Sequence, residues 1–231
     1  MKTSAWQLLM LLLLLAYLGV AVSGCRSSRG VPGDIYDIMS RPTELRFAAN
    51  EVRGYQGVRL DPSIGPRDNS IKGIQHVDIE SYRLRISGEV LETRILSYDE
   101  VLAYPAHQRL VTLHCVEGWS ATVLWKGVRL VELLDFAGLG QNARIVIFHC
   151  QDGYTTSMPV ATIRERDMLL AYSSNGIILP ASLGYPFIIV AEDKLGYKWA
   201  RWVIGMEISS DVDFQGFWEN EGFDNDADIG P

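Results

Sequence analysis

The chain has 231 residues, which is enough for one large domain or two small ones with a buried core. Apolar residues make up 48% and charged residues 21%, a balance that is typical of globular proteins and argues against disorder as the main state. The formal net charge of −7 disfavours nucleic acid as a partner, because phosphate binding needs clustered positive charge.

The amino terminus has the pattern of an export signal. Lys2 is followed by an apolar run over residues 8–22 and then by small residues before Cys25. The segment from Val22 to Cys25 resembles the bacterial lipobox, so residues 1–24 are predicted to be a lipoprotein signal peptide and Cys25 the lipidated residue. An uncleaved anchor helix is the alternative, although the run is short for a membrane span. Both alternatives place the protein in the cell envelope, outside the cytoplasm and attached to a membrane.

The residues after Cys25 separate a short tether from one domain. Residues 25–34 are rich in Gly, Ser and Arg and are predicted to be flexible. Residues 35–231 are predicted to form a single domain, since no linker divides them. In this domain the hydropathy pattern predicts short strands at 82–87, 109–116, 121–125, 144–150, 187–190 and 202–208.

Local signals predict the helices and turns. Ser97 and Glu100 have the spacing of a capping box, which indicates a short helix through residue 103. A second helix near residues 131–137 is expected to end at Gly138. A turn is predicted at residues 126–127 and a hairpin at Asn175-Gly176. The fold class is therefore α+β with mixed sheets and short helices.

The carboxyl-terminal residues form an acidic tail. Residues 208–231 contain seven acidic residues and no Lys or Arg, with four aromatic residues between them. We expect an irregular tail that packs its rings on the domain and leaves its acids in solvent.

Cys115 and Cys150 are the cysteines that remain after Cys25. In an oxidising compartment a disulfide between them is the first expectation. A zinc site that used the preceding residues, His114 and His149, is disfavoured because neighbours on a strand point to opposite faces. The chain also contains no CxxC pair and no CxxCH haem-attachment motif.

Common catalytic motifs are missing from the sequence. It contains no G-x-S-x-G nucleophile elbow, no GxGxxG and no P-loop. The thiol of Cys115, at the end of a predicted strand, is the strongest candidate for chemistry. The alternative is a core cysteine, since Cys is one of the most buried residue types.

Several segments resemble one enzyme family in order and spacing. The sequence around Cys115 is HCVEGWS at 114–120, followed by VLWKGV at 123–128. Other segments are DNSI at 68–71, YRLRISGEV at 82–90, DGY at 152–154, SMP at 157–159, LP at 179–180, GYP at 184–186 and GYKWARWV at 196–203. Together they resemble the sulfite-oxidase-type molybdopterin oxidoreductases, and among these the periplasmic methionine-sulfoxide reductases. The resemblance covers about residues 69–210.

This resemblance implies a fold, a cofactor and a reaction. The fold would be that of sulfite oxidase, and one pyranopterin would hold a single molybdenum with Cys115 as thiolate ligand. The protein would transfer an oxygen atom to or from sulfur, with Cys115 and Tyr154 as the catalytic residues and Tyr154 in the substrate pocket. A separate membrane or haem protein would exchange the electrons. The expected cofactor contacts are Asn69, Ser70, Gly196, Tyr197, Lys198 and Arg201.

Three features depart from the family pattern. Leu183 replaces the usual His or Asn, and Ile188 replaces an Arg that usually contacts the pterin. The leader also lacks the twin arginines of proteins that are exported folded. Phosphate binding is then expected to depend more on Lys198 and Arg201. The same departures support an alternative function, a cofactor-free binding or scaffold lipoprotein that retains the fold.

Overall fold

The strands form two five-stranded sheets and one small hairpin in the part of the chain that the structure describes. The computed structural model describes residues 43–65 and 70–229. The predicted signal peptide, Cys25, the tether and Asn69 lie outside these residues.

The strands are short, and the helices are shorter than three turns. The strands are β1 (Gly54–Tyr55), β2 (Val58–Arg59), β3 (Leu84–Gly88), β4 (Arg94–Leu96), β5 (His107–His114), β6 (Ser120–Arg129), β7 (Ile145–Cys150), β8 (Thr155–Pro159), β9 (Leu169–Ser174), β10 (Ile177–Ile178), β11 (Ile188–Val190) and β12 (Val203–Ser209). The helices are α1 (Thr43–Asn50), α2 (Tyr98–Leu102), α3 (Leu130–Ala137), α4 (Val160–Glu165) and α5 (Phe217–Asn220), with 3-10 turns at Ala181–Leu183 and Gly196–Lys198. None of the helices in the described ranges combines the length and the hydropathy that a membrane crossing requires.

The first sheet is antiparallel and positions the residues around Cys115. Its order is β10-β9-β6-β5, and β11 also pairs with β9. β5 and β6 form a long hairpin whose last pair is His114 with Ser120. Cys115 therefore begins the turn that joins the two strands.

The second sheet is mixed and has the order β4-β3-β12-β7-β8. β12 runs parallel to β3 and antiparallel to β7. β3 alternates buried and exposed residues, as predicted for a half-buried strand. β7 is buried at five of its six positions. The mixed sheets and short helices confirm the predicted fold class.

One core joins both sheets and α3. Apolar side chains of β3, β7 and β12 belong to the same buried cluster as those of β6, β9 and β11. α3 contributes Leu130, Leu133, Leu134 and Ala137, whose spacing places them on one face of the helix. The helix ends at Gly138, as predicted, with a positive φ of 70°.

The predicted capping box and hairpin are both confirmed. The Ser97 side chain accepts a bond from the Glu100 backbone, and the Glu100 carboxylate accepts one from the Ser97 backbone N–H. Asn175 and Gly176 have φ values of 45° and 82° between β9 and β10. Two positive φ values are what a tight hairpin turn of this kind requires.

The predicted turn at residues 126–127 is wrong, because β6 continues through it to Arg129. The pairing with β9 shifts register between Lys126 and Gly127. A Cβ atom on Gly127 would lie 2.2 Å from the backbone oxygen of Leu170. Glycine at this position allows the backbones of β6 and β9 to approach closely, whereas the prediction took it as a turn residue.

The tail is irregular except for α5, and its rings pack on the domain as predicted. The Phe217 and Tyr154 ring centroids lie 6.0 Å apart, and those of Phe223 and Tyr197 lie 5.4 Å apart. The expectation that every acid is solvated is wrong for Glu219, which is 2% exposed. This carboxylate is buried because it pairs with a lysine of the domain.

Candidate active site

A cavity of about 270 Å³ lies beside the turn that follows β5. Its wall combines residues that are far apart in sequence, from Ser63 to Phe223. Six of the predicted site residues line it: Ser70, Cys115, Tyr154, Gly196, Tyr197 and Arg201. The structure therefore brings together most of the set that the family resemblance implies.

Cys115 is held at the cavity by a tight turn. Its backbone N–H donates to the Trp119 oxygen at 2.9 Å, and its own carbonyl accepts from the Gly118 N–H at 3.0 Å. Gly118 has a φ of 87°, which glycine adopts without strain. Cys115 is partly exposed and forms no disulfide, so its thiol is free to act as a ligand.

Cys150 is a core residue near the end of β7. It is 3% exposed and is also a free cysteine, so the disulfide that the compartment alone suggests does not form in this structure, and Cys115 is unpaired, as its role in the family resemblance requires. Burial raises the pKa of the Cys150 thiol well above its ordinary value. A buried neutral thiol of this kind is chemically inert, in contrast to an exposed one.

The 3-10 turn Gly196–Lys198 packs directly behind Cys115. Leu195 forms a parallel bridge with His114, the last residue of β5. A Cβ atom on Gly196 would lie 3.4 Å from the His114 oxygen and 3.7 Å from the Cys115 Cα. The absence of a side chain at Gly196 keeps this turn close to the cysteine.

Tyr154 lines the cavity with its ring, but its hydroxyl is occupied. The hydroxyl donates a hydrogen bond to the backbone oxygen of Tyr197. Burial, followed by the charge of Glu219, raises the pKa of Tyr154 far above its ordinary value. The side chain of Asp152 accepts from the Tyr154 N–H at 3.0 Å and fixes the turn after β7. Tyr154 is therefore a neutral wall residue that joins two turns.

Lys198 does not line the cavity, and its predicted role as a phosphate ligand does not fit the structure. Its side chain is fully buried, and the ammonium lies 2.5 Å from Glu219 Oε1. The ammonium also donates to the Ser157 oxygen and to Asn225 Oδ1, each at 3.0 Å. A lysine has three donors, so these three acceptors use all of them. Burial lowers the pKa of Lys198, and the bond to Glu219 opposes that effect.

Arg201 is the one Lys or Arg side chain that lines the cavity among the described residues. Its guanidinium donates to the Ser182 oxygen at 3.0 Å and lies 4.7 Å from the Trp202 ring centroid. Gly184 packs against it, since a Cβ atom there would lie 2.9 Å from the Arg201 Cβ. Gly184 also has a φ of 109°, so both its backbone and its neighbour require glycine.

Leu183 and Ile188, the two departures from the family pattern, also line the cavity. They are 7% and 2% exposed. The polar groups expected of relatives at these positions are thus replaced by an apolar wall.

The site has an aromatic character that was not predicted from the sequence. All five tryptophans of the described chain line the cavity: Trp119, Trp125, Trp199, Trp202 and Trp218. Trp119 donates to the Glu117 carboxylate at 3.0 Å and packs so closely on Gly65 that a Cβ there would lie 2.7 Å from its ring. The sequence signal was available, because four of the five lie in segments that carry the family resemblance or border it.

Glu51 is a buried carboxylate that was not predicted as a site residue. It positions the segment that leads to the cavity. Glu51 accepts from the Ser63 N–H at 2.9 Å and from the Asn175 side chain at 3.1 Å. Ser63 lines the cavity. The hairpin residue Asn175 therefore supports the site as well as its own turn.

The residues at the cavity fit a pterin-bound metal. Cys115 offers the soft thiolate that suits a redox-active transition metal. No three His, Cys, Asp or Glu side chains cluster as metal ligands in residues 43–65 and 70–229. In the same ranges Trp125 Nε1 is buried in the wall without a hydrogen-bond partner, and a pterin carries several acceptors for such a donor.

The fold and the site define a class of protein, an oxidoreductase domain built from mixed sheets with a cysteine at a cofactor cavity. The chain belongs to the family described as the oxidoreductase molybdopterin binding domain, whose model matches residues 71–218. The cofactor of that family is molybdopterin with molybdenum, which agrees with the expectation from the sequence.

Curated relatives support this family and differ in length. The chain is 33% identical over 147 residues to YuiH, an uncharacterised oxidoreductase of Bacillus subtilis. This match spans 63% of the present chain and 74% of YuiH. It is 34% identical over 150 residues to YedZ1 of Azospira oryzae, provisionally assigned as a protein-methionine-sulfoxide reductase subunit. This match spans 65% of the present chain and 57% of YedZ1. It is 26% identical to mitochondrial sulfite oxidase of Rattus norvegicus, where 68% of the chain matches 36% of the relative.

A solved structure shows the same fold. The sulfane dehydrogenase SoxCD from Paracoccus pantotrophus superposes with a TM-score of 0.61 at 19% identity. The match covers 84% of this chain and 60% of that one. It confirms the predicted sulfite-oxidase-type architecture.

Proposed function

We propose that the protein transfers an oxygen atom to or from sulfur, with Cys115 as the thiolate ligand of molybdenum. The observation that carries this proposal is the free, partly exposed thiol in the cavity wall, with the Gly196 turn packed behind it. When bound, the molybdenum cofactor supplies the two-electron redox change and the exchange of the oxygen atom. Ser70, Gly196, Tyr197 and Arg201 would surround it.

The charges in the cavity favour an uncharged organic sulfoxide over sulfite as the substrate. Glu117 and Asp152 bring two carboxylates to the wall, while Arg201 is its one described cation. Arg201 already donates to a backbone oxygen and stacks on Trp202. Among the described residues an anion would therefore meet repulsion with little compensation, whereas the tryptophans offer apolar surface to organic groups.

The favoured reaction needs electrons from a second protein. An organic sulfoxide loses its oxygen, takes up two electrons and becomes a thioether, and two protons leave with that oxygen as water. A separate membrane or haem protein is the class of donor that we propose, because this sequence contains no haem-attachment or CxxC motif.

We place this reaction in the cell envelope, with Cys25 as the lipidated residue. The apolar run before Cys25 and the lipobox-like Val22-Ser23-Gly24 support this location. A Cys25→Ala protein should stay unprocessed or leave the membrane fraction. A variant that fractionates and migrates like the parent would contradict the lipid anchor.

The enzymatic proposal is tested on protein purified from the envelope of its own host. The parent should contain molybdenum and reduce dimethyl sulfoxide with a reduced viologen dye as electron donor. Cys115→Ser should abolish nearly all turnover while the protein still melts cooperatively, because a hydroxyl is a harder and less acidic ligand than a thiol.

Cys150→Ser is the matched control, since it changes the same atom outside the cavity. It should keep the metal and the turnover per folded protein, because Cys150 is buried outside the cavity. Undiminished turnover in Cys115→Ser would overturn the proposal.

A cofactor-free binding protein is the second candidate, and specific residues favour it. Leu183 and Ile188 present no polar group to a pterin, and Lys198 is committed to Glu219. Metal analysis separates the two candidates. Protein from its native host that never contains molybdenum would favour the binding module.

A further inference from the structure

We propose that residues 217–229, here called the tail wall, determine which substrates the cavity binds, through the ring of Phe223. This inference rests on the proposed function and adds a specificity-determining residue to it. In this view an aryl or other large apolar group on the substrate lies against the tail wall while its sulfoxide group faces the metal site that Cys115 would hold.

The tail wall contributes two rings to the cavity. Trp218 and Phe223 both line it, and their ring centroids lie 5.4 Å apart. Phe223 also packs edge-on against Tyr197, a residue of the turn behind Cys115. It remains 39% exposed, which is large for an aromatic side chain with two ring contacts. The exposed part of the ring is available to a ligand.

A buried ion pair fixes the first half of the tail wall. The Lys198 and Glu219 side chains are both fully buried, and Thr156 donates a hydrogen bond of 2.6 Å to the same Glu219 oxygen. Asn225 accepts from the Lys198 ammonium. Glu219 is therefore a positioning residue, because it holds Trp218 and Phe223 against the domain.

Hydrogen bonds to residues 193–195 fix the second half of the tail wall. The Leu195 N–H donates to the Ala227 oxygen at 2.8 Å, and the Ile229 N–H donates to the Asp193 oxygen at 3.1 Å. The Lys194 ammonium donates to the Asp226 oxygen at 2.8 Å. These bonds end on residues 193–195, directly before the turn behind Cys115. The rings of the tail wall are thus held at a defined place relative to the thiol.

Most of the tail wall lies beyond the segment that the family model matches. That match ends at residue 218, so Glu219, Phe223 and the bonds to residues 193–195 involve residues past it. The selectivity that we propose therefore comes from residues of this chain that the shared domain does not describe.

The test compares a small and a large sulfoxide in the full-length, cofactor-loaded protein. Phe223→Ala should raise KM for methyl phenyl sulfoxide about two- to tenfold, the range that corresponds to one aromatic contact, with kcat unchanged. KM for dimethyl sulfoxide should rise less than KM for methyl phenyl sulfoxide, because that molecule has no group to reach the ring. Phe136→Ala is the matched control, since Phe136 is 41% exposed and lies outside the cavity.

A binding measurement gives a second readout that does not depend on turnover. Calorimetry with methyl phenyl sulfone, which keeps the aryl group, should show the same two- to tenfold rise in Kd for Phe223→Ala and none for Phe136→Ala. An unchanged Kd and KM, or a gain in rate with the aryl sulfoxide, would overturn the inference. If the parent reduces no sulfoxide, the proposed function fails, and the sulfone measurement still decides the role of Phe223.

Discussion

The Tyr154 hydroxyl donates a hydrogen bond to the backbone oxygen of Tyr197, and this bond joins the turn after β7 to the turn behind Cys115. The first turn joins β7 and β8 of the mixed sheet, and the second lies between β11 of the first sheet and β12 of the mixed sheet. Residues of both turns line the cavity. A hydroxyl used in this way supports the site, and we expect it to act as a positioning group between the two turns.

Replacing this hydroxyl gives the first prediction. Tyr154→Phe should lower the free energy of unfolding by about 1 kcal/mol, the usual net value of one hydrogen bond. Since the hydroxyl already donates to a backbone oxygen of the wall, kcat at neutral pH should change only a few-fold. Thermal melting and steady-state turnover measure both effects. A loss of nearly all turnover in a stable variant would show that Tyr154 is a catalytic residue after all.

The Lys198–Glu219 pair gives the second prediction. Lys198→Met should destabilise the protein by about 3–5 kcal/mol, because it leaves the Glu219 carboxylate buried without a counterion. Changing Glu219→Leu in addition should recover part of that loss. Denaturant unfolding of the cofactor-free protein is the measurement, since a residue that only binds the cofactor would have no effect there. A Lys198→Met protein as stable as the parent would contradict the structural role.

Close strand packing gives the third prediction. Gly127→Ala should cost at least about 1–3 kcal/mol, because its Cβ would lie 2.2 Å from the Leu170 oxygen and the strands would have to separate. Gly54→Ala is the control, since the nearest atom to its Cβ would be 3.8 Å away. Chemical denaturation of both variants checks the difference. Equal stabilities would show that β6 can move away from β9 without cost.

The capping box gives a prediction for acid pH. Bonds from the Ser97 backbone and side chain hold the pKa of Glu100 below its ordinary value. A carboxylate with a lowered pKa stabilises the folded state above its unfolded pKa, and this contribution disappears as the pH falls through the folded pKa. Ser97→Ala should therefore raise the Glu100 pKa, as NMR titration would show. The difference in Tm between parent and variant should be smaller at pH 3 than at pH 7.

Local and ordered signals in the sequence predicted most of the fold and much of the site. The capping box at Ser97 and the hairpin at Asn175 depend on neighbours in sequence, so a few residues are enough to predict the helix start and the turn. The ordered segments around Cys115 predicted six residues that the fold brings to one cavity.

Features that depend on distant partners were not predictable in the same way. Gly127 was interpreted as a turn because the sequence does not show that Leu170 lies beside it. The family resemblance implies a phosphate contact for Lys198, and nothing in the sequence indicates that Glu219, one of seven acids in the tail, is its partner. A buried ion pair between a turn and a tail leaves no spacing signal in the sequence.

The tryptophans of the cavity should make intrinsic fluorescence sensitive to what the cavity binds. Trp6 lies in the predicted signal peptide, so the mature chain would carry only the five tryptophans that line the cavity. Nearly all ultraviolet emission excited near the indole band would then arise from this one wall. A pterin that absorbs in the emission range of indole would quench it, and loading, loss or replacement of the cofactor would be visible in a cuvette without labels.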